Sequence, residues 1–207
     1  MPGNAVGHRR PFLDLHRCDV SFLSTANGKL LDVRWSYVIA HAVIVAAANW
    51  AVQYPFPPAP DALTWGAFVF PFAFFITDLC NRRHGVEMTR KVVLASFVIA
   101  VAVSFFTADV RIAIASGAAF LTGQMIDAQI FNRLRRHVWW VSPAVSNVVA
   151  STVDSIIFFS LAFAATGLPW VYWAVSDYAI KIAMVWVIMP VYGFLVFRET
   201  AAPQPTV

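Results

Sequence analysis

The chain is constrained above all by apolar runs of about 20 residues, the length a helix needs to cross the hydrocarbon core of a bilayer. Six are readable: 36–54 ("SYVIAHAVIVAAANWAVQY"), 63–80 ("LTWGAFVFPFAFFITDLC"), 90–107, 111–132, 143–166 and 171–197. Charged residues make up 13% of the 207, against roughly 25% in soluble domains. Too few charges remain to cover a water-facing surface. The expected fold is therefore all-α, a polytopic integral membrane protein with six transmembrane helices in one bundle. Short connections imply antiparallel neighbours. The apolar domain spans 36–197. A polar N-terminal arm (1–35) and a short tail (198–207) flank it, and the arm lacks the apolar core of a signal peptide.

Orientation follows from the basic residues. Arg9, Arg10, Arg17, Lys29 and Arg34 precede the first run. Arg82, Arg83, Arg90 and Lys91 follow the second, Arg133, Arg135 and Arg136 the fourth, and Arg198 the sixth. With both termini cytoplasmic, 13 of the 15 Lys and Arg fall on one side. The loops "PFPPAPDA" and "TGLPW" carry none. Topology and anionic lipid account for the +4 net charge, so no nucleic-acid partner is implied. Cys18 and Cys80 form no metal or redox spacing and are expected as free cytoplasmic thiols. Ser142 and Pro143 read as N-cap and first residue of the fifth helix. Ala115, Ala119 and Gly123 permit close helix contact along the fourth.

Four carboxylates lie inside the runs: Asp78, Asp127, Asp154 and Asp177. Such groups cost about 2.5–3.5 kcal/mol at a helix centre and usually face the bundle interior. Asp78 and Asp127 sit near cytoplasmic helix ends, each followed by Asn and Arg, where an ion pair or helix-end role competes with a substrate role. Asp154 is central in the fifth helix. Asn147, Ser151 and Asp154 recur at i, i+4, i+7 and share a face. That stripe suits either a binding site or a structural hydrogen-bond network. Asp177 and Lys181 are spaced i, i+4 and are expected to pair. A buried ion pair is seldom a net stabiliser, so gating or binding stands beside the structural reading. If the pair is closed on itself, changing both residues together should do less damage than changing either alone.

Asn49 and Gln53 (i, i+4) and Gln124 with Asp127 (i, i+3) add polar faces. The second run supplies aromatics, among them Trp65, Phe68 and Phe70, with Pro71 at mid-depth. A proline there frees backbone groups, and broken helices recur at transporter binding sites. Amides, carboxylates and aromatic faces together suit a flat heteroaromatic ligand. No phosphate-binding loop, dinucleotide fingerprint, HExxH or GxSxG is present, so neither an enzyme nor an ATPase is expected. No cofactor or metal set is readable.

The stretches "TWGAFVFPFAFFITDLCNRRHG" (64–85), "ASGAAFLTGQMIDAQIFNRLRR" (115–136), "WWVSPAVSNVVASTVDSIIFFSLAF" (139–163) and "WAVSDYAIKIAMVWVIMPVYG" (173–193), with "NWAVQ" (49–53), resemble the bacterial queuosine precursor transporters, a vitamin-uptake-type family. The resemblance covers 36–197. It implies import of 7-cyano-7-deazaguanine or 7-aminomethyl-7-deazaguanine across the inner membrane, for tRNA modification, without an ATPase partner. Related six-helix folds serve as binding subunits of ATP-driven vitamin importers, which is the alternative. A homo-oligomer stays open. Against such a substrate, Asp154 is the expected acceptor for the lactam N–H and exocyclic amine. Asn49, Gln53, Gln124 and Asn147 would read the ring edges, and Trp65, Phe70 or Phe131 would stack. Asp177 or Asp127 would meet the cationic aminomethyl group.

Overall fold

Pro71 divides the second apolar run. Its ring nitrogen has no hydrogen to donate to Ala67, so the helical ladder stops there although Phe70 keeps helical dihedrals (φ −56°, ψ −39°). The computed structural model describes residues 33–104 and 110–200, without the side chains of 102–104, 199 and 200. Seven helices occur among these residues: α1 (Trp35–Ala51), α2 (Gly66–Val69), α3 (Pro71–His84), α4 (Val86–Ser104), α5 (Val110–Leu134), α6 (Val141–Phe163) and α7 (Trp170–Thr200). With α2 and α3 taken as one interrupted rod, they match the six apolar runs. The polar arm, most of the tail and Cys18 lie outside the described residues. Cys80 is a buried free thiol.

Several boundaries differ from the sequence reading, each for a local reason. The second rod begins at Gly66 instead of 63. Residues 52–65 form a folded loop in which Pro55 and Thr64 pair as an isolated bridge and Phe56 packs on Trp65 and Phe68. It ends at His84, where Gly85 takes φ 83°, ψ 173° and turns the chain into α4, a conformation essentially confined to glycine. The fifth rod begins at Val141, ahead of Ser142. Ser142 therefore does not cap it, and no side chain does. Pro143 still fits because the first-turn N–H groups lack intrahelical partners anyway. The sixth rod runs to Thr200, past the expected end at 197.

The bundle is apolar outside and buries polar groups among its apolar clusters inside. Trp35, Ile39, Val43 and Trp50 stand exposed along α1, and Trp186, Val187, Val191 and Phe194 along α7. Buried within are His41, Asp78, Gln124, Asp127, Asp154 and Lys181, among others. Water would favour the reverse, whereas lipid favours this one. Two helices, α6 and α7, meet length and hydropathy criteria for a membrane span on their own, and α1 is a shorter apolar helix. Among the described residues the other helices do not meet those criteria, the second rod because Pro71 divides it into helices of 4 and 14 residues.

Small residues set the tightest seam. Ala115, Ala119 and Gly123 are buried on α5, which packs against α6 more extensively than any other helix pair. A Cβ on Gly123 would stand 3.2 Å from the Asp154 Cβ. Arginines tie the bundle ends. At the proline-rich end Arg111 donates to the α6 carbonyls of Leu161 and Ala164 (2.9 and 2.7 Å). At the arginine-rich end Arg82 and Arg135 donate to each other's main-chain carbonyls (2.9 and 3.0 Å).

Candidate functional site

Asp154 and Lys181 come from different helices. Asp154 lies on the buried stripe of α6 with Asn147 and Ser151. Lys181 projects from α7, and its Nζ meets Asp154 Oδ2 at 2.7 Å and Asp177 Oδ2 at 2.6 Å. Ser155 completes the group by donating to Asp177 Oδ2 (2.9 Å) and accepting from Lys181 (3.3 Å). The expected Asp177–Lys181 pair forms, but it is not closed on itself. The lysine bridges two carboxylates, which leaves the group with a formal charge of −1 when all three are ionised. Side-chain exposure rises from 6% at Asp154 and 7% at Lys181 to 15% at Asp177.

This triad borders a cavity of about 390 Å³ that opens towards the proline-rich end. Asn49 and Phe70 line it with the triad, and Phe158, Phe159, Phe163 and Trp173 supply aromatic walls. Residues 60–64 of the folded loop cover part of the mouth. Phe70 is brought inward by the α2–α3 break, and Lys181 lies over its ring, 5.1 Å from the centroid, a cation–π geometry. The volume falls within the roughly 300–1,000 Å³ of small-molecule sites.

The expected site residues thus separate. Asp154, Asn49, Phe70, Asp177 and Lys181 meet at the cavity. Seven others do not line it. Gln53 is exposed beyond α1. Trp65 packs with Phe56 and Phe68 in the folded loop. Phe131 belongs to an apolar cluster with Leu79, Val185 and Tyr192. Gln124 accepts from Thr77 through Oε1 (3.0 Å). Asn147 donates to Asp78 (2.7 Å). Asp78 and Asp127 form a second polar cluster with Asn147, nearer the arginine-rich end, and neither pairs with a basic side chain among the described residues. Sequence reasoning missed Ser155 and the aromatic walls. Phe158 carried a signal, being one turn beyond Asp154 on the same face; Trp173, on another helix, carried none.

A helical bundle with an apolar outer surface, around a cavity with a charged floor and aromatic walls, has the character of a membrane protein. The family model described as "Putative vitamin uptake transporter" matches residues 64–110 and 103–195, and the chain belongs to that family. It is 31% identical over 182 residues to the queuosine precursor transporter of Escherichia coli, covering 75% of this chain and 82% of the relative. Identity is 36% over 192 residues to the "Probable queuosine precursor transporter" of Haemophilus influenzae, covering 74% and 82%. The protein of that same name from Bacillus subtilis is 24% identical over 157 residues, covering 61% and 69%. No solved structure matches the chain significantly.

Proposed function

We propose that this protein is a transporter that imports queuosine precursors, 7-cyano-7-deazaguanine or 7-aminomethyl-7-deazaguanine, and that the cavity floored by Asp154, Lys181 and Asp177 is its substrate site. The observation that carries the assignment is the meeting of two carboxylates bridged by Lys181 with aromatic walls in one cavity. The relatives' shared name supports the substrate class. A deazaguanine offers a lactam N–H and an exocyclic amine on one edge and a flat face for stacking. A carboxylate accepts both donors at once, and each of its oxygens has two lone pairs. Asp154 can therefore hold Lys181 through Oδ2 and still receive the substrate edge. Lys181 fixes the Asp154 rotamer. Phe70 and the α6 aromatics supply the stacking face, and Asn49 reads a ring edge. The excess negative charge of the triad favours the cationic aminomethyl form.

Six crossings, with both termini and the arginine-rich end cytoplasmic, complete the reading. On this reading the protein is a multi-pass protein of the inner membrane, with residues 36–197 as the transport domain. The cavity then opens to the outside. The protein acts without catalysis and without an ATPase. The deciding experiment is uptake of labelled precursor by precursor-uptake-deficient cells that express this chain alone. Autonomous uptake supports the reading. Uptake that needs a partner ATPase complex supports a binding subunit instead, and no uptake under either condition refutes both.

A further inference from the structure

Asp78 and Asp127 are the most deeply buried carboxyls among the described residues, 2% and 1% exposed. They lie on facing stretches of α3 and α5, between the Thr77–Gln124 and Asn81–Ala128 hydrogen bonds that join the two helices. Every element around them contributes polar groups. Asn81 on α3 donates to the Ala128 carbonyl (2.8 Å). Gln124 on α5 is engaged by Thr77. From α6, Asn147 donates to Asp78 Oδ2, and Ser146 adjoins Asp127 without meeting it in hydrogen-bond geometry. Tyr192 on α7 buries its hydroxyl unpartnered. Asp78 Oδ1 and both Asp127 oxygens find no donor among the described residues. Arg82, one turn along α3, and Arg135 spend guanidinium hydrogens on each other's main-chain carbonyls.

Two adjacent carboxylates out of water, with no cation between them, are a costly arrangement. One proton removes one charge and turns the contact into an O–H···O⁻ hydrogen bond, among the strongest kinds available to side chains. We infer that Asp78 and Asp127 share one proton and form a proton-carrying site that couples substrate import to the proton gradient. The inference rests on the transport reading above.

The fold links this site to the substrate cavity by adjacent residues. Phe70 lines the substrate cavity beside Lys181. Pro71, the next residue, lines a separate cavity of about 20 Å³ against Asp78, Asn147 and Tyr192, room for about one water molecule. A shift of the α2–α3 break on substrate binding at Phe70 would therefore be felt at Asp78, one member of the pair. Separating α3 from α5 on the arginine-rich side releases the proton to cytoplasmic water and leaves two separated carboxylates. Rebinding a proton from the other side resets the pair.

The test uses the purified full-length chain in proteoliposomes with tritiated 7-cyano-7-deazaguanine. Counterflow without any gradient measures transport itself. An inward proton gradient, with the membrane potential clamped, should then drive accumulation up to about tenfold per unit of pH gradient for one proton, and a protonophore should abolish it. In Asp127→Asn, and in Asp78→Asn, the side-chain amide replaces the shared proton, and gradient-driven accumulation should fall to the counterflow level, whatever that level is. Accumulation that survives in both variants, that follows a sodium gradient instead, or that never exceeds equilibrium in the parent overturns the proposal. Infrared difference spectra of the parent against each variant give a second readout that does not depend on transport. A protonated-carboxyl band at neutral pH, shifted by deuterium and absent from the variants, supports the shared proton; its absence from the parent refutes it. Absent counterflow by the parent alone counts against the transport reading, and the infrared band still decides the carboxyl pair.

Discussion

Lys181 on α7 reaches across to Asp154 on α6, 2.7 Å from its Oδ2, while also holding Asp177 one turn earlier on its own helix. One cation thus serves two carboxylates at the floor of the cavity. Removing the lysine strands both, and breaking a buried pair by removing one partner costs about 3–5 kcal/mol. Lys181→Gln is expected to lose thermal stability strongly in detergent, measured by size-exclusion after heating. The double change Asp177→Asn with Lys181→Gln should not rescue it, because Asp154 remains unpaired. A parent-like double variant would show that the Asp154 contact contributes nothing.

Asp154→Asn removes only one of the two carboxylates and leaves Lys181 paired with Asp177. The protein should insert and fold with a smaller stability loss than Lys181→Gln. A charge-assisted hydrogen bond contributes about 1.5–3 kcal/mol, so precursor affinity should fall roughly tenfold to a hundredfold. Normal uptake by well-expressed Asp154→Asn protein would remove Asp154 from the site.

Gly123 and Gly117 offer a matched pair on α5. A Cβ at Gly123 meets the Asp154 Cβ at 3.2 Å and Oδ1 at 3.6 Å, whereas one at Gly117 meets only the Phe97 ring, at 3.5 Å. Alanine gains about 1 kcal/mol of helix propensity at either position. Gly117→Ala should be neutral or slightly stabilising, while Gly123→Ala should displace Asp154 and reduce uptake severalfold at similar expression. Equal uptake by the two variants would show that Asp154 has room to move without consequence.

Phe70 both borders the cavity and lies under Lys181. Phe70→Leu keeps an apolar side chain but removes the π face, a contact of about 0.5–2 kcal/mol. The half-saturation concentration for the precursor should rise by roughly twofold to thirtyfold with little change in expression. Phe131→Leu, in the apolar cluster away from the cavity, should instead affect stability and leave half-saturation unchanged.

Topology is tested with single cysteines in a Cys18→Ser, Cys80→Ser background. Cysteines at Pro58, exposed in the proline-rich loop, and at Ala201 should react with an impermeant thiol reagent from opposite sides. Same-side labelling would overturn the six-crossing arrangement.

What the sequence determined by itself is whatever depends on neighbours along one helix. Helical periodicity placed Asn147, Ser151 and Asp154 on a common buried face, and i, i+4 spacing gave the Asp177–Lys181 contact. The apolar runs fixed the rods and Pro71 the break within the second. Helix ends were less legible: the Ser142–Pro143 pair has the composition of a cap, yet backbone bonds to residues 138 and 140 carry the helix back past it. What only the tertiary structure decided is what stands across each face. Asn147 and Asp154 share a stripe, but the first faces Asp78 and the second faces Lys181, 27 residues away. Gln124 turns to Thr77, and Phe131 fills an apolar cluster. Periodicity states which way a side chain points; the crossing and register of two packed helices determine what it meets, and those are set jointly by small residues such as Gly123 and by every other contact of the bundle.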